Sequence, residues 1–303
     1  MSYFPNNDEE KELLQFIGRY QYLNGNNVKY FFKTQKYYRK RITNLVSRNF
    51  LKRIKLDLIL DDAGIKYLKM IGAEYNKLNR DKRYVPRLLY LSNIGAFYNK
   101  CETVKFIPSF EMKDRKIYTT TSRKYIGILS IKGIDYLTYR ISKDHDNKYL
   151  GAVIYDIQKE KDYKNIIVFI DDVSRININD FSFGNNQVLI IQDDEENREE
   201  LKYLHSIDWN KIIKDNYKNK VVLSEYSFCD YTNHKDKFIS IFKFLDAEKI
   251  SKIQYFLREN KNKNIDIICN KEIENTIRKE IPRANYKIVD LEEYIEKEIK
   301  IYD

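Results

Sequence analysis

A multi-domain α/β protein is predicted by this 303-residue sequence, and three observations predict it. An amino-terminal stretch strings short amphipathic helices before a hairpin-like pattern. From about residue 104, compact apolar strands alternate with helical stretches. The length suggests about two domains at ~150 residues each. The 26 tyrosines, set against few glycines and prolines, argue against long disordered tracts.

The elements follow in order. Asp8 and the acids beside it open a helix in which Leu13, Phe16, Ile17 and Tyr20 recur at helical spacing, closing near the turn-prone Asn24–Gly25–Asn26. Val28, Phe31 and Phe32 make the apolar side of a short second helix. Lys33–Thr34 then turns, with Thr34 as N-cap of a third helix. There Tyr38, Ile42, Leu45 and Val46 fall on one stripe. The opposite face carries Lys36, Tyr37, Lys40, Thr43, Asn44 and Ser47, with Arg39 and Arg41 on the flanks. After Asn49, Leu51, Arg53 and Lys55 alternate with Lys52, Ile54 and Leu56. Leu58 and Leu60 follow, so two short strands with a tight turn near Asp57 are expected. A further helix starts at Asp61–Asp62 and runs through Ile65 and Leu68 to Gly72. The order α, α, α, β, β, α over residues 1–75 is that of a winged helix-turn-helix, the hairpin being the wing.

Charge points the same way. From Leu13 to Leu56 there are eleven Lys or Arg and no Asp or Glu, in a chain whose net charge is +10. A solvated helix face normally mixes signs to gain i,i+4 pairs, so a segment with no acids predicts a polyanionic partner, duplex DNA. Lys36, Tyr37, Lys40, Thr43 and Asn44 are expected to face the bases. Arg39, Arg41, Arg48, Lys52, Arg53 and Lys55 are expected to neutralise phosphates.

The segments YYRKRITNLVSRNFLKRI and LILDDAGIKYL resemble the winged-helix half of the replication-relaxation and mobilisation-accessory proteins of bacterial plasmids. That family follows an arginine-rich helix with a short hairpin and a Leu-Thr-x-x-Gly helix start. Here the start reads Leu60–Asp61–Asp62–Ala63–Gly64, with Asp in the usual place of Thr; Asp also caps helices well. The resemblance covers about residues 10–75. It implies sequence-directed duplex DNA binding in plasmid replication, mobilisation or transcriptional control.

Residues 76–103 read as a helical connector, with Leu88, Leu89, Leu91 and Ile94 after Pro86. These leucines suit a homodimer contact and packing against the winged helix equally well. Residues 104–303 read as an α/β domain with a mixed sheet. Strands are expected at Ile126–Ile131, Ile134–Ile141, Ala152–Ile157, Ile166–Ile170, Val188–Ile191, Val221–Leu223, Ile265–Ile268 and Lys287–Val289. Helices are expected at Glu196–Leu204, Ala247–Arg258, Lys271–Lys279 and Leu291–Lys300.

Catalytic patterns are thin. Asp171, Asp172, Asp193 and Asp194 have the chemistry to hold Mg²⁺, although acids at strand ends more commonly cap the next helix. A degenerate nuclease-like sheet would place Asp135 and Asp156–Ile157–Gln158 on consecutive strands, with Gln at the lysine position. Glu111–Met112–Lys113 matches the acid-x-Lys triplet, a match that chance supplies often in a chain this rich in Glu and Lys. There is no Walker loop, GxGxxG, HExxH or G-x-S-x-G, and His145, His205 and His234 are isolated. No cofactor and no catalytic residue is therefore assigned. Cys101, Cys229 and Cys269 form no CxxC pair and are expected to act as small hydrophobes. With no leader-like start and no apolar run near ~20 residues, the expected setting is cytoplasmic, away from membranes. A non-enzymatic DNA-binding protein is the leading expectation. A metal-dependent nuclease or nickase delivered by the winged helix, and a protein-interaction adaptor, are the alternatives.

Overall fold

The computed structural model describes residues 5, 7–34, 37–114, 124–182, 186–217, 221–233 and 237–295. The chain is mixed α/β and divides into two units, Met1–Glu111 and Met112–Asp303. The boundary falls inside the short helix α5 (Ser109–Asp114).

In the first unit, helix α1 (Asp8–Tyr20) starts at Asn7, whose side chain accepts from the Glu10 N–H at 2.9 Å. Its buried side chains Leu13, Leu14, Phe16, Ile17 and Tyr20 form the centre of the unit, each worth about 1.5–3 kcal/mol of burial. Leu23–Asn24 forms a short strand, β1, and Gly25–Phe31 a 3₁₀ helix that buries Val28 and Phe31. Helix α2 (Tyr38–Ser47) lays Ile42 and Leu45 on the core. Its N-cap is Tyr37, so Thr34 does not cap it. The helix begins too far along the chain for the Thr34 hydroxyl to meet its first turn.

Strands β2 (Leu51–Ile54) and β3 (Asp57–Leu60) pair antiparallel, with Leu51 opposite Leu60 and Ile54 opposite Asp57. The loop is thus Lys55–Leu56, just ahead of Asp57. Lys55 takes φ 56°, the left-handed region that tight hairpin loops require. Strand β1 adds to the other side of β3, giving the order β1-β3-β2. Asp61 then caps helix α3 (Asp62–Met70). Gly72 (φ 68°) ends it, with its N–H on the Lys69 carbonyl and the Ala73 N–H on the Leu68 carbonyl, the paired bonds of a glycine-terminated helix.

Helix α4 (Val85–Phe97) buries Tyr90, Leu91, Ile94 and Phe97 within this unit, against the 3₁₀ helix, β1 and α1. Asn27 donates to Asn93 at 2.7 Å across that contact. Residues 76–103 thus count with the first unit, as does strand β4 (Val104–Pro108). Of the two roles open to the connector, packing inside the unit occupies Leu91 and Ile94.

The second unit differs from the expected single sheet, because it holds two. One runs β12-β8-β7-β6-β5, from β5 (Gly127–Ile131), β6 (Ile134–Ile141), β7 (Asn165–Ile170), β8 (Gln187–Gln192) and β12 (Leu245–Asp246). The β6, β7 and β8 neighbours are parallel, and the β5–β6 and β8–β12 pairs antiparallel. The other sheet runs β14-β13-β11-β10-β9, from β9 (Val221–Leu223), β10 (Tyr231–Asn233), β11 (Lys237–Phe242), β13 (Ile265–Cys269) and β14 (Asn285–Ile288). Between β11 and β13 the chain leaves this sheet. It pairs β12 on β8 and lays helix α9 (Ala247–Glu259) against β8 before returning.

Ala152–Ile157, expected as a strand, lies inside helix α6 (Asn147–Lys159). The β-branched run is misleading locally. The Asp146 carboxylate accepts from the Tyr149 N–H at 2.8 Å, and Val153 and Ile157, four apart, are the positions buried. Helices α7 (Glu195–Leu201) and α10 (Lys271–Glu280) lie close to the expected spans, whereas α8 (Trp209–Asn216) was not foreseen. The expected last helix is a 3₁₀ turn at Leu291–Tyr294, and residues 296–303 lie outside those described. Among the described residues no helix is long and apolar enough to cross a membrane.

Candidate nucleic-acid interface

On α2 the two faces separate as the spacing requires. Ile42 and Leu45 are buried, while Lys40, Thr43, Asn44 and Ser47 are exposed along one stripe, continued at its start by Tyr37, 57% exposed. Lys36 lies outside the described residues. The Thr43 hydroxyl donates to the Arg39 carbonyl at 3.0 Å, so its lone pairs remain to accept from a base donor. Asn44 carries both donors and an acceptor on the exposed side. No acid stands in the first turn of α2, and Tyr37 supplies no side-chain cap.

The proposed phosphate ligands divide into two groups. Arg39 is exposed, its guanidinium about 6.0 Å from the Tyr38 ring centre. Lys52 and Arg53 are exposed on β2, the outer strand, on which Leu51 alone is buried. Lys55 is exposed at the hairpin tip. Basic side chains on an edge strand also discourage addition of a foreign strand, so their position serves the fold as well.

Arg41 and Arg48 are half-buried. Arg41 is turned onto Glu9 of α1, ion-paired through Nη1 and lying over the Phe32 ring at 5.2 Å. The Glu9 carboxyl also accepts from the Lys33 N–H at 2.7 Å, and that bond first, then Arg41, holds it below the ordinary carboxylate range. Glu9, just ahead of the basic segment, thus folds back on it. Outside the α2 and hairpin surface, Arg19 is held by both carboxylate oxygens of Glu111, and Lys100 stands 4.0 Å from Glu12. Sequence reading missed these pairings, which span 32 residues for Glu9–Arg41 and 92 for Arg19–Glu111; the only local signal is the acid-rich start of α1. It also passed over two exposed apolar side chains beside the basic ones, Ile54 and Leu56.

Exchange of Glu9 for Gln keeps an acceptor for the Lys33 N–H and removes the charge that competes for Arg41. Ion pairs near the surface are worth about 0–1 kcal/mol, so, where α2 and the hairpin bind DNA, Glu9→Gln is expected to tighten binding to all duplexes by up to about fivefold. Fluorescence anisotropy on cognate and random duplexes checks this; unchanged affinity on both would show that Arg41 takes no part.

The second unit's acids have other occupations. Asp172 and Asp194 cap the following helical turns, through the Ser174 and Asn197 N–H groups. Asp193 is paired with Arg198, and Asp171 accepts from the Lys143 N–H at 3.0 Å. Asp156 sits on α6 and accepts from the Lys124 N–H at 2.6 Å, so it does not join Asp135 on neighbouring strands. Glu111 is engaged by Arg19, and the Lys113 side chain is outside those described. Among the described residues, no three His, Cys, Asp or Glu side chains gather as a metal site. Cys229 and Cys269 are buried and Cys101 half-buried; burial pushes the Cys269 thiol up to about 12, where it stays protonated.

No family model, no curated protein and no solved structure matches this chain.

Proposed function

We propose that the protein is a sequence-directed duplex DNA-binding protein whose first unit works as a winged helix. In this reading α2 enters the major groove, and the β2–β3 hairpin is the wing on the phosphate backbone. The observation that carries it is the joint surface of α2 and β2: polar and basic side chains stand exposed, and neither element contains an acid. Tyr37, Lys40, Thr43 and Asn44 offer donors and acceptors to base edges, together with Lys36. Arg39, Lys52, Arg53 and Lys55 neutralise phosphates, with Arg48 beside them and Arg41 recruited when it leaves Glu9. The resemblance to plasmid replication-relaxation and mobilisation-accessory proteins supplies the process: replication, mobilisation or transcriptional control of a replicon. Catalysis is not part of this reading.

The test is binding of the purified protein to fragments of its own genomic neighbourhood, against random duplex, at about 50 and 200 mM salt. A preferred fragment and a steep salt dependence are expected. Salt-insensitive or absent binding to every duplex would remove the proposal and favour a protein-interaction adaptor. Within a positive result the two residue classes separate. Lys40→Ala is expected to reduce preference among sequences, a good base contact being worth about 1–3 kcal/mol, and Lys55→Ala to weaken all DNA alike. Equal losses for both variants on cognate and random DNA would contradict that division.

A further inference from the structure

The second unit contains a cavity of about 540 Å³ lined from both of its sheets, within the range of about 300–1,000 Å³ in which small ligands are held. It lies where β11 ends and α9 begins, at the carboxyl end of a strand whose β13 neighbour is parallel. Open α/β sheets place ligands at such strand ends.

The walls are aromatic, with Tyr136, Trp209, Tyr226 and Phe244 among them. Two polar pairs stand in these walls. On one side the Tyr136 hydroxyl meets Nε2 of His205 at 2.9 Å. On the other, Lys249 Nζ donates to Asp230 at 2.5 Å and to the Ile241 carbonyl at 3.0 Å. The formal charges balance, Lys243 and Lys249 against Asp230 and Asp246. Burial lowers the His205 pKa, which favours the neutral ring. The start of α9 is already closed by Asp246, which accepts from the Lys249 N–H at 3.0 Å and from the Gln187 amide at 2.9 Å. A phosphate finds neither a net positive field nor an open helix start. A flat, uncharged ring with donors and acceptors on its rim finds aromatic faces and two polar pairs.

We propose that this cavity binds an uncharged planar heteroaromatic molecule of the nucleobase or nucleoside class. The ring lies against the aromatic walls, and its edges meet the Tyr136–His205 and Asp230–Lys249 pairs. The inference rests on the second unit alone and is independent of the DNA-binding reading.

The test has a built-in reporter, because Trp209 is the single tryptophan of the chain. The full-length protein is titrated with adenosine, guanosine, cytidine and uridine, and with their 5′-monophosphates, following Trp209 emission and, separately, heat of binding. At least one nucleoside is expected to saturate both signals with a Kd below about 1 mM. Its monophosphate should bind about tenfold more weakly, and Tyr136→Phe should weaken the nucleoside about five- to tenfold. Flat titrations for all four nucleosides by both methods overturn the proposal. Tighter binding of a monophosphate than of its nucleoside overturns the charge argument and the ligand class with it.

Discussion

Replacement of Lys52, Arg53 and Lys55 together by glutamine is expected to lower affinity for every duplex, cognate or random, and to flatten the salt dependence. Each phosphate neutralised contributes about 0.9 to the slope of log K against log salt, so loss of three contacts should reduce that slope by roughly three. The variant's deficit should therefore be largest at low salt and narrow as salt rises. Glutamine keeps the outer strand polar, and the antiparallel register of β2 on β3 is carried by backbone bonds that these side chains do not make. Preference for the cognate fragment over random duplex should change little, because base contacts from α2 are intact. An unchanged slope would mean that the hairpin does not touch the backbone of the duplex.

The second large effect is expected at Gly64, where a methyl group has no room. A Cβ there would stand 2.3 Å from the Phe50 carbonyl oxygen and 3.1 Å from Leu60 Cδ2. The close approach is held by two backbone bonds, Asp61 N–H to the Phe50 carbonyl at 3.0 Å and Ala63 N–H to the Asn49 carbonyl at 3.1 Å. Asn49 itself is at φ 58°. The start of α3 therefore docks on the turn that ends α2, and Gly64→Ala has to push the two apart. Overpacking of this kind costs about 1–3 kcal/mol. That corresponds to a fall of roughly 4–8 °C in unfolding midpoint per kcal/mol for a unit of this size. Amide exchange should accelerate in α2, α3 and the hairpin while α6 and β7 of the second unit are unaffected. Unchanged exchange in the first unit would show that the backbone absorbs the methyl group without cost.

Much of the first unit was legible because its signals are local. The Ile42 and Leu45 spacing, the Asp61 cap and Gly72 each act within a few residues and appear where the pattern puts them, whereas the alternation from Leu51 to Leu56 yields the hairpin without alternating burial, since Leu51 alone is buried on β2 and Lys55–Leu56 forms the loop. What the pattern left out lies in pairs far apart in sequence. Glu9 holding Arg41 joins residues 32 apart in sequence, and no periodicity encodes that. Gly64 could be placed in a helix start, but the reason for it is a carbonyl fourteen residues earlier in the chain, at Phe50. In the second unit the failures are of two kinds. The run Ala152–Ile157 has side chains that suit a strand, and the Asp146 cap with burial of Val153 and Ile157 overrides them. Strand β10 escaped notice because a three-residue strand is specified by its neighbours, here Tyr231 opposite both Ile239 and Leu223, more than by itself; β11, six residues long, was missed as well. The aromatic cavity was invisible for the same reason, since its walls come from segments between Tyr136 and Lys249.

The excursion of the chain between β11 and β13 sets an order of events during synthesis. Strand β8 has β7 on one side and β12 on the other. On a ribosome, residues 187–192 emerge more than fifty residues ahead of Leu245–Asp246. Over that interval the apolar strand Gln187–Gln192 has a bare hydrogen-bonding edge, with no later segment of its own chain yet available to cover it. Unpaired edges of this composition recruit other strands. The β8 edge of the second unit is thus open to mispairing between nascent chains until β12 and α9 arrive.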